Sequence, residues 1–410
     1  MTWPQSEWAL LRARLVNYQA VVRLGYGGYF IFDVVDTANR IGRRSNLDKV
    51  DVAPYRNYLR ELATKRPEPD KNRPRKHIIY LQLESVDGLV IGGRKNGEPM
   101  MPFLEGLATA NVFFTNAIDN TASGRTTDGE FLVLTSQVPV SRPPVYVTQK
   151  LDKIPSMPRV LEEVGYRSVS IHGFNGVFWH RREAHTALGY NEMLFEDDLD
   201  LEERIGWGFS DREVLAEAAR MIAASEQPLF LHVITLTNHH PYDYISKEEG
   251  RKPERIEAEY LRSVRYLDDC IAEFFSSLEE KGVLKDCLIA IYGDHDSAIN
   301  EELEIYLDDE LPRLISDTVP LVMVGFDQVA QRIDELAGLQ DVPVMILEEI
   351  GIPVPLTFTG NGWHQWGRTV GPQHGSWKME GDSIEPWIMA VDQETLTLLA
   401  INHPEKLLEP

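Results

Sequence analysis

Six short aliphatic and β-branched runs, HIIYLQL (77–83), NVFFTNA (111–117), RSVSI (167–171), LFLHVITL (229–236), LIAIYG (288–293) and PLVMVG (320–325), alternate with longer amphipathic stretches. That alternation constrains the fold most: strands this apolar need cover on both faces, and helical crossovers between them supply it. Helices are predicted over 128–138, 156–164, 180–188, 211–224, 257–281 and 342–350, the longest stopping at Gly282 as a C-cap requires. The expected architecture is α/β, a doubly wound, mainly parallel sheet flanked by helices. After about residue 375 the pattern changes to SWKMEG, WIMAVD and LTLLAIN with polar turns between them, which predicts a small C-terminal antiparallel sheet.

The domain boundaries follow from composition. Residues 1–63 read as a helical lead-in, the charged and proline-rich TKRPEPDKNRPRK (64–76) as a linker, 77–374 as the main α/β domain and 375–410 as a small antiparallel subdomain. A net charge of -23, from 64 acidic against 41 basic residues, repels nucleic-acid phosphates, so no nucleic-acid partner is expected. Two cysteines, Cys270 and Cys287, are too few for a disulfide framework and read as buried free thiols. The most apolar N-terminal run, AVVRLGYGGYFIFDVV, is broken by Arg23 and Asp33, and MTWPQSEW lacks a basic start; neither an integral membrane segment nor an export signal is read here.

In an open parallel sheet, ligands gather beyond the carboxyl ends of the strands. Those ends carry Glu84-Ser85, His172-Gly173, Thr237-Asn238-His239-His240 and Asp294-His295-Asp296. Taken singly, each is as well explained by a solvated loop or a helix cap. Together, Glu84, Asp294 and His295 offer two carboxylates and an imidazole, a set that suits one divalent ion, Mn²⁺ or Zn²⁺, with Mg²⁺ less favoured by imidazole.

The stretch SGRTTDGEF (123–131) precedes the apolar run at 131–134. Threonines before helices are usually caps, and Thr127 or Asp128 would serve here. Thr126 would then stand one step outside the helix, where its hydroxyl could complete the metal site and be ionised by it, with Arg125 adding positive charge. On pattern alone, capping and nucleophilic readings stand level.

NTASGRTTDGEF, with IIYLQLES upstream and HVITLTNHHPY and IYGDHDS downstream, resembles the extracellular catalytic domain of lipoteichoic acid synthase and the related phosphoglycerol transferases, in the alkaline phosphatase and sulfatase superfamily. The resemblance runs in order from about residue 77 to about 350. It implies that Thr126 is the metal-bound nucleophile, that Glu84, Asp294 and His295 are the other ligands of one manganese-type ion, and that His239 binds the phosphate or assists the leaving group. HGFNGVFWHRRE is similar to the family's pocket segment, so His172, Trp179 and Arg181 would line the substrate pocket, Arg181 gripping a phosphate oxygen. Two positions depart from the pattern: Phe174 replaces the family's aspartate after His-Gly, and His180 the asparagine before the arginine. Asn175 is the candidate substitute for that aspartate.

The resemblance implies transfer of a glycerophosphate-type group, through a phosphothreonine diester, from a lipid or glycan to a glycan or glycerol hydroxyl; with water as acceptor the enzyme is a phosphodiesterase. Sulfatase chemistry is disfavoured because SGRTTDG lacks the cysteine or serine followed by proline that formylglycine formation requires. A non-catalytic module for anionic glycans is the remaining alternative, opposed by the intact ligand set. Relatives act outside the cytoplasm, which implies an extracytoplasmic or periplasmic place, a free-standing cytoplasmic relative being the alternative. His364 and His374 in GNGWHQWGRTVGPQHG are candidates for a substrate loop, and His232 reads as a core histidine.

Overall fold

The computed structural model describes residues 47–408 apart from 141–142, 309–317, 364–367, 372–374, 381–382 and 387–390, together with isolated helical positions between 25 and 35. Its centre is an eight-stranded sheet of β1 (His77–Leu83), β2 (Val112–Ile118), β3 (Arg167–His172), β4 (Glu192–Leu194), β5 (Leu229–Ile234), β6 (Cys287–Gly293), β7 (Leu321–Val324) and β8 (Gln331–Gly338). Across the sheet the order is β8-β2-β7-β6-β1-β5-β3-β4, and every pairing is parallel except the two made by β7.

Among the described residues, eight helices of eight residues or more frame the sheet and its ends: α1 (Ala53–Thr64), α2 (Pro102–Ala110), α3 (Thr126–Thr135), α4 (Arg181–Leu188), α5 (Asp211–Ala224), α6 (Ile256–Glu280), α7 (Val342–Glu349) and α8 (Gln393–Asn402), with shorter helices between. Side chains of β1 alternate between faces: Ile78 and Tyr80 join one apolar core with residues of α3, α7 and α8, while Ile79, Leu81 and Leu83 join a second with residues of α5 and α6. Both faces of the central strands are therefore dry, as their unbroken apolar runs predict.

Register levels the strand ends. Leu83 pairs with Gly293, Gln82 with Ile234, and Ile234 with His172, so the residues that follow β1, β6 and β5 leave the sheet beside the last residue of β3.

One sequence expectation fails. LTLLAIN is not a strand but lies in α8, whose Asp392 side chain caps Thr395 N at 2.9 Å and whose Leu396, Leu399, Ala400 and Ile401 pack in the first core. A short apolar run fits either element, and the aspartate cap decides for helix. A small antiparallel sheet does form earlier, from Arg368–Gly371, Gly375–Glu380 and Ser383–Pro386, while 387–390 of WIMAVD lie outside the described residues. Finally, residues 65–76 lack helix and strand but are not free: Arg73 and Arg75 donate to the carbonyls of Glu349 and Ile350 at 2.7 and 2.6 Å, and Lys76 to Gly325 O at 2.8 Å. Among the described residues no helix is long and apolar enough to cross a membrane.

Candidate active site

Glu84, Asp294 and His295 are buried at the strand ends, with ligand atoms that all lie within 4.8 Å of one another. His295 Nε2 is 3.5 Å from Glu84 Oε1 and 3.8 Å from Asp294 Oδ1. Nearby groups hold the three in place. Asp294 Oδ1 accepts from Ser85 N at 2.8 Å and His295 N at 2.9 Å; Glu84 Oε1 accepts from Ser85 Oγ at 2.8 Å. His295 Nδ1 donates to Asp296 O at 2.7 Å, an arrangement that orients a metal-binding imidazole and turns Nε2 toward the carboxylates.

The charges within this cluster are frustrated. Burial and the adjacent Glu84 raise Asp294 to about 8. Burial and Arg125 push His295 down, but Asp294 and Glu84 outweigh them and raise it to about 9. Glu84 resists burial and stays below the ordinary carboxylate range because His295 bonds to it. Groups that must share protons to remain this close form a donor set short of a cation, and a divalent ion fits it.

Thr126 opens α3. Its hydroxyl lies 3.3 Å from Glu84 Oε2, to which it donates, and 3.4 Å from His295 Nε2. The capping expectation fails: α3 begins at Thr126 itself, preceded by Arg125 at φ 45°, and no side chain caps it. Thr127 donates instead to Gly124 O at 3.1 Å, while Asp128 Oδ2 turns back to accept from Gly124 N at 2.8 Å and Ala122 N at 3.0 Å. Thr126 is thus released for the cluster. Every residue of α3 is buried, and a Cβ on Gly129 would stand 2.8 Å from Asp294 O, so the helix rests directly on the β6 loop.

One turn along α3, Glu130 supports the arginine that the sequence places in the pocket. Arg181 is only 2% exposed; its Nε and Nη2 both reach Glu130 Oε1 at 2.9 Å, and Nη1 has no hydrogen-bond partner among the described residues. His185 Nε2 meets Glu130 Oε2 at 2.8 Å. Against burial, Arg181 and His185 hold Glu130 down to about 2, so it is ionised. The sequence reading missed Glu130, since in the helix expected over 128–138 it falls in the first turn, where an acid looks solvated; its i+4 spacing from Thr126 ahead of four apolar residues was the available signal. His172, which ends β3, donates from Nδ1 to Ile234 O at 2.9 Å. Burial and Arg181 lower it to about 3, leaving a neutral ring whose Nε2 is an acceptor.

The remaining predicted residues make other contacts. His239, half-buried after β5, uses Nδ1 toward His240 O at 2.9 Å and sits near enough to help lower Glu84. Trp179 and His180 adopt left-handed backbone at φ 60° and 56°, Trp179 half-buried and His180 exposed. Asn175 Oδ1 accepts from Val177 N at 2.8 Å, closing a turn. Arg125 is committed to Asp296, 2.6 Å from its Oδ1, and braces the loop of His295 rather than standing open. His232 is a core residue bonded to Tyr190, Gln82 and Tyr292, and Cys270 and Cys287 are buried and free. His364 and His374 lie outside the described residues.

The chain is 30% identical over 312 residues to lipoteichoic acid synthase 1 of Bacillus subtilis, covering 73% of this chain and 48% of that protein. It is also 30% identical over 311 residues to lipoteichoic acid synthase of Staphylococcus saprophyticus, covering 72% and 48%. It thus spans about half the length of the curated relatives it matches. Its fold is shared with the lipoteichoic acid synthase LtaP from Listeria monocytogenes, at a TM-score of 0.67 and 19% identity over 82% of this chain and 91% of that one. The Streptococcus pyogenes phosphoglycerol transferase GacH in complex with sn-glycerol-1-phosphate shares it at a TM-score of 0.54 and 18% identity, over 77% and 84%. A family model described as Sulfatase matches residues 76–352, a span that holds all of the cluster, α3 and Arg181, and the chain belongs to that family.

Proposed function

We propose that this chain is a metal-dependent phosphoglycerol transferase of the alkaline phosphatase superfamily, with Thr126 as nucleophile and residues 77–374 as its catalytic unit. One observation carries the reading: the Thr126 hydroxyl lies between Glu84 and His295 at the head of a fully buried helix, where an ordinary capping threonine would have no reason to be. The named relatives, lipoteichoic acid synthases and a phosphoglycerol transferase, support the group transferred.

Glu84, Asp294, His295 and Thr126 would hold one divalent ion, Mn²⁺ by the mixture of carboxylate and imidazole, with Zn²⁺ or Mg²⁺ as alternatives. When bound, the ion supplies Lewis acidity and lowers the pKa of a neighbouring hydroxyl. Thr126 Oγ, its proton released to water, attacks the phosphorus of a diester, and the bond from phosphorus to the leaving oxygen breaks in line. Arg181 Nη1, the one nitrogen of its guanidinium without a hydrogen-bond partner among the described residues, donates to a non-bridging oxygen as charge builds there. His239, whose Nδ1 faces His240 O, gives a proton from Nε2 to the leaving alcohol, and His172 Nε2 accepts from a substrate hydroxyl. An acceptor hydroxyl then gives its proton to His239 Nε2 as its oxygen attacks the phosphothreonine diester, and Thr126 leaves as the alkoxide that began the cycle. The substrate is a glycerophosphate-bearing lipid or glycan, and by its relatives the enzyme works on the extracytoplasmic side. Threonine cannot become the formylglycine of a sulfate-ester hydrolase, which argues against that activity in a Sulfatase-family chain.

The test is incubation with Mn²⁺ and a glycerophosphodiester, a phosphate monoester and a sulfate ester, with Thr126→Ala in parallel. Metal-dependent cleavage of the diester, lost in Thr126→Ala, is expected. Sulfate or monoester turnover that survives Thr126→Ala refutes the assignment.

A further inference from the structure

Beside His239 and His172 stands a group of aromatic rings with no part in the chemistry above. Phe174, Phe178 and Trp207 form a triangle, with ring centroids 5.6 Å apart for Phe174 with Phe178, 5.6 Å for Phe174 with Trp207 and 5.9 Å for Phe178 with Trp207. Trp179 extends it at 5.9 Å from Phe178, and the Trp207 ring lies 4.2 Å from that of His239. The triangle faces outward: Phe178 and Trp207 are each 39% exposed and Val177 67%.

The rings are also held in advance. Trp207 sits in a tight hairpin, Arg204–Ile205 paired with Gly208–Phe209, and Phe209 N donates to Gly173 O at 2.9 Å. Only glycine permits that approach, because a Cβ on Gly208 would stand 2.1 Å from Gly173 O. On the other side, Trp179 and His180 take left-handed backbone that L-residues adopt only under constraint.

We infer that Phe174, Phe178 and Trp207 form a stacking subsite for a neutral sugar ring, placing a glycan hydroxyl or glycosyl leaving group beside His239. A pyranose offers an apolar C–H face to aromatic rings and a hydroxyl edge to a polar rim. This wall is rimmed in that way, by exposed His180 and by the ion pairs Arg182 with Asp198 and Arg204 with Glu196. An acyl chain would need an extended apolar trough, whereas the exposed large apolar side chains of these loops, among the described residues, are Val177, Phe178 and Trp207. A net charge of -23 further opposes docking on an anionic lipid surface. The inference rests on the phosphodiester reading only for what the sugar would carry, and it narrows the substrate to a glycan.

The protein is titrated, with Mn²⁺ present, with neutral gluco-oligosaccharides of two to four units, read by saturation transfer from protein to sugar protons and by tryptophan emission. Parallel arms use vesicles of anionic phospholipid and turnover of bis(4-nitrophenyl) phosphate. Saturable binding is expected, strongest at ring C–H protons, and about tenfold weaker in Trp207→Ala and in Phe178→Ala, each surface enough to fold. Absence of sugar binding by a protein that still cleaves the diester overturns the subsite alone, as does sugar binding that both variants keep. Trp207-dependent binding of vesicles without sugar binding assigns the wall to lipid and overturns it too. Ring-dependent sugar binding without diester turnover upholds the subsite and removes the transferase reading.

Discussion

Replacing Glu130 with glutamine tests the support of the site at its least visible point. The substitution keeps the side chain's shape and one acceptor but strips the counter-charge from Arg181, which is 2% exposed and bonded twice to Glu130 Oε1 at 2.9 Å. For charge centres near 4 Å apart in an effective dielectric of about 20, the lost attraction is roughly 4 kcal/mol. Removing one member of a buried pair elsewhere costs about 3–5 kcal/mol, much of it the burial of the charge left behind. Glu130→Gln should therefore lower unfolding stability by roughly 3 kcal/mol or more in urea titration, with an unchanged slope. Arg181→Met should cost a comparable amount, while the double variant loses clearly less than the sum, because neither charge is then stranded. Diester turnover should fall in Glu130→Gln with the metal response intact. Stability within about 1 kcal/mol of the parent, or additivity within about 0.5 kcal/mol, would refute the argument.

Other outcomes follow from the same geometry. Mn²⁺ at a hundredfold excess over its dissociation constant should stabilise the protein by about 2.7 kcal/mol in thermal or urea unfolding, and Glu84→Gln should erase that gain; an equal gain in the variant would remove Glu84 from the ligand set. Asp294→Asn should also abolish the metal response yet leave the metal-free protein no less stable, since it relieves a carboxylate crowded by Glu84. Burial, together with His185, Arg181 and His172 and opposed by Glu130, lowers His232 from 6.5 to about 3. Its depressed folded value means that stability is full above 6.5 and is lost as pH falls toward 3, by roughly 2 kcal/mol at pH 5. His232→Gln should flatten the stability profile between pH 7.5 and 5 by that amount, and parallel profiles for the two proteins would reject it. Gly129→Ala, which helix propensity alone would favour by about 1 kcal/mol, should instead destabilise and slow turnover, because the new methyl meets Asp294 O at 2.8 Å; a stabilised, active variant would show that α3 can shift.

What could be read from the sequence was what repeats. Strands β1, β3, β5 and β6 announce themselves because burial on both faces leaves them apolar throughout, and their polar successors mark the ligand-bearing end. Strand β8 went unread: QRIDELAG is an edge strand, with exposed charged positions along its first half, and its pattern matches neither template. Helix α8 was misread because a seven-residue apolar run is too short for its period to decide. Glu84, Asp294 and His295 were legible as chemistry that recurs at strand ends. Glu130 was not, because its role depends on an arginine 51 positions away that arrives only when α4 brings Arg181 and His185 to it. Trp207 likewise comes to His239 through a hairpin contact that no local pattern encodes.

Because α3 is buried along its whole length, the amides around Thr126 and Glu130 should exchange with solvent only when much of the molecule opens, whereas those of the 174–180 and 204–209 loops exchange through local openings. The bond-breaking groups and the rings at the rim therefore belong to different units of cooperativity. Mutations that retune what the rim holds can accumulate without loosening the helix that performs the chemistry, which gives a scaffold of this kind room to change substrates while its reaction stays fixed.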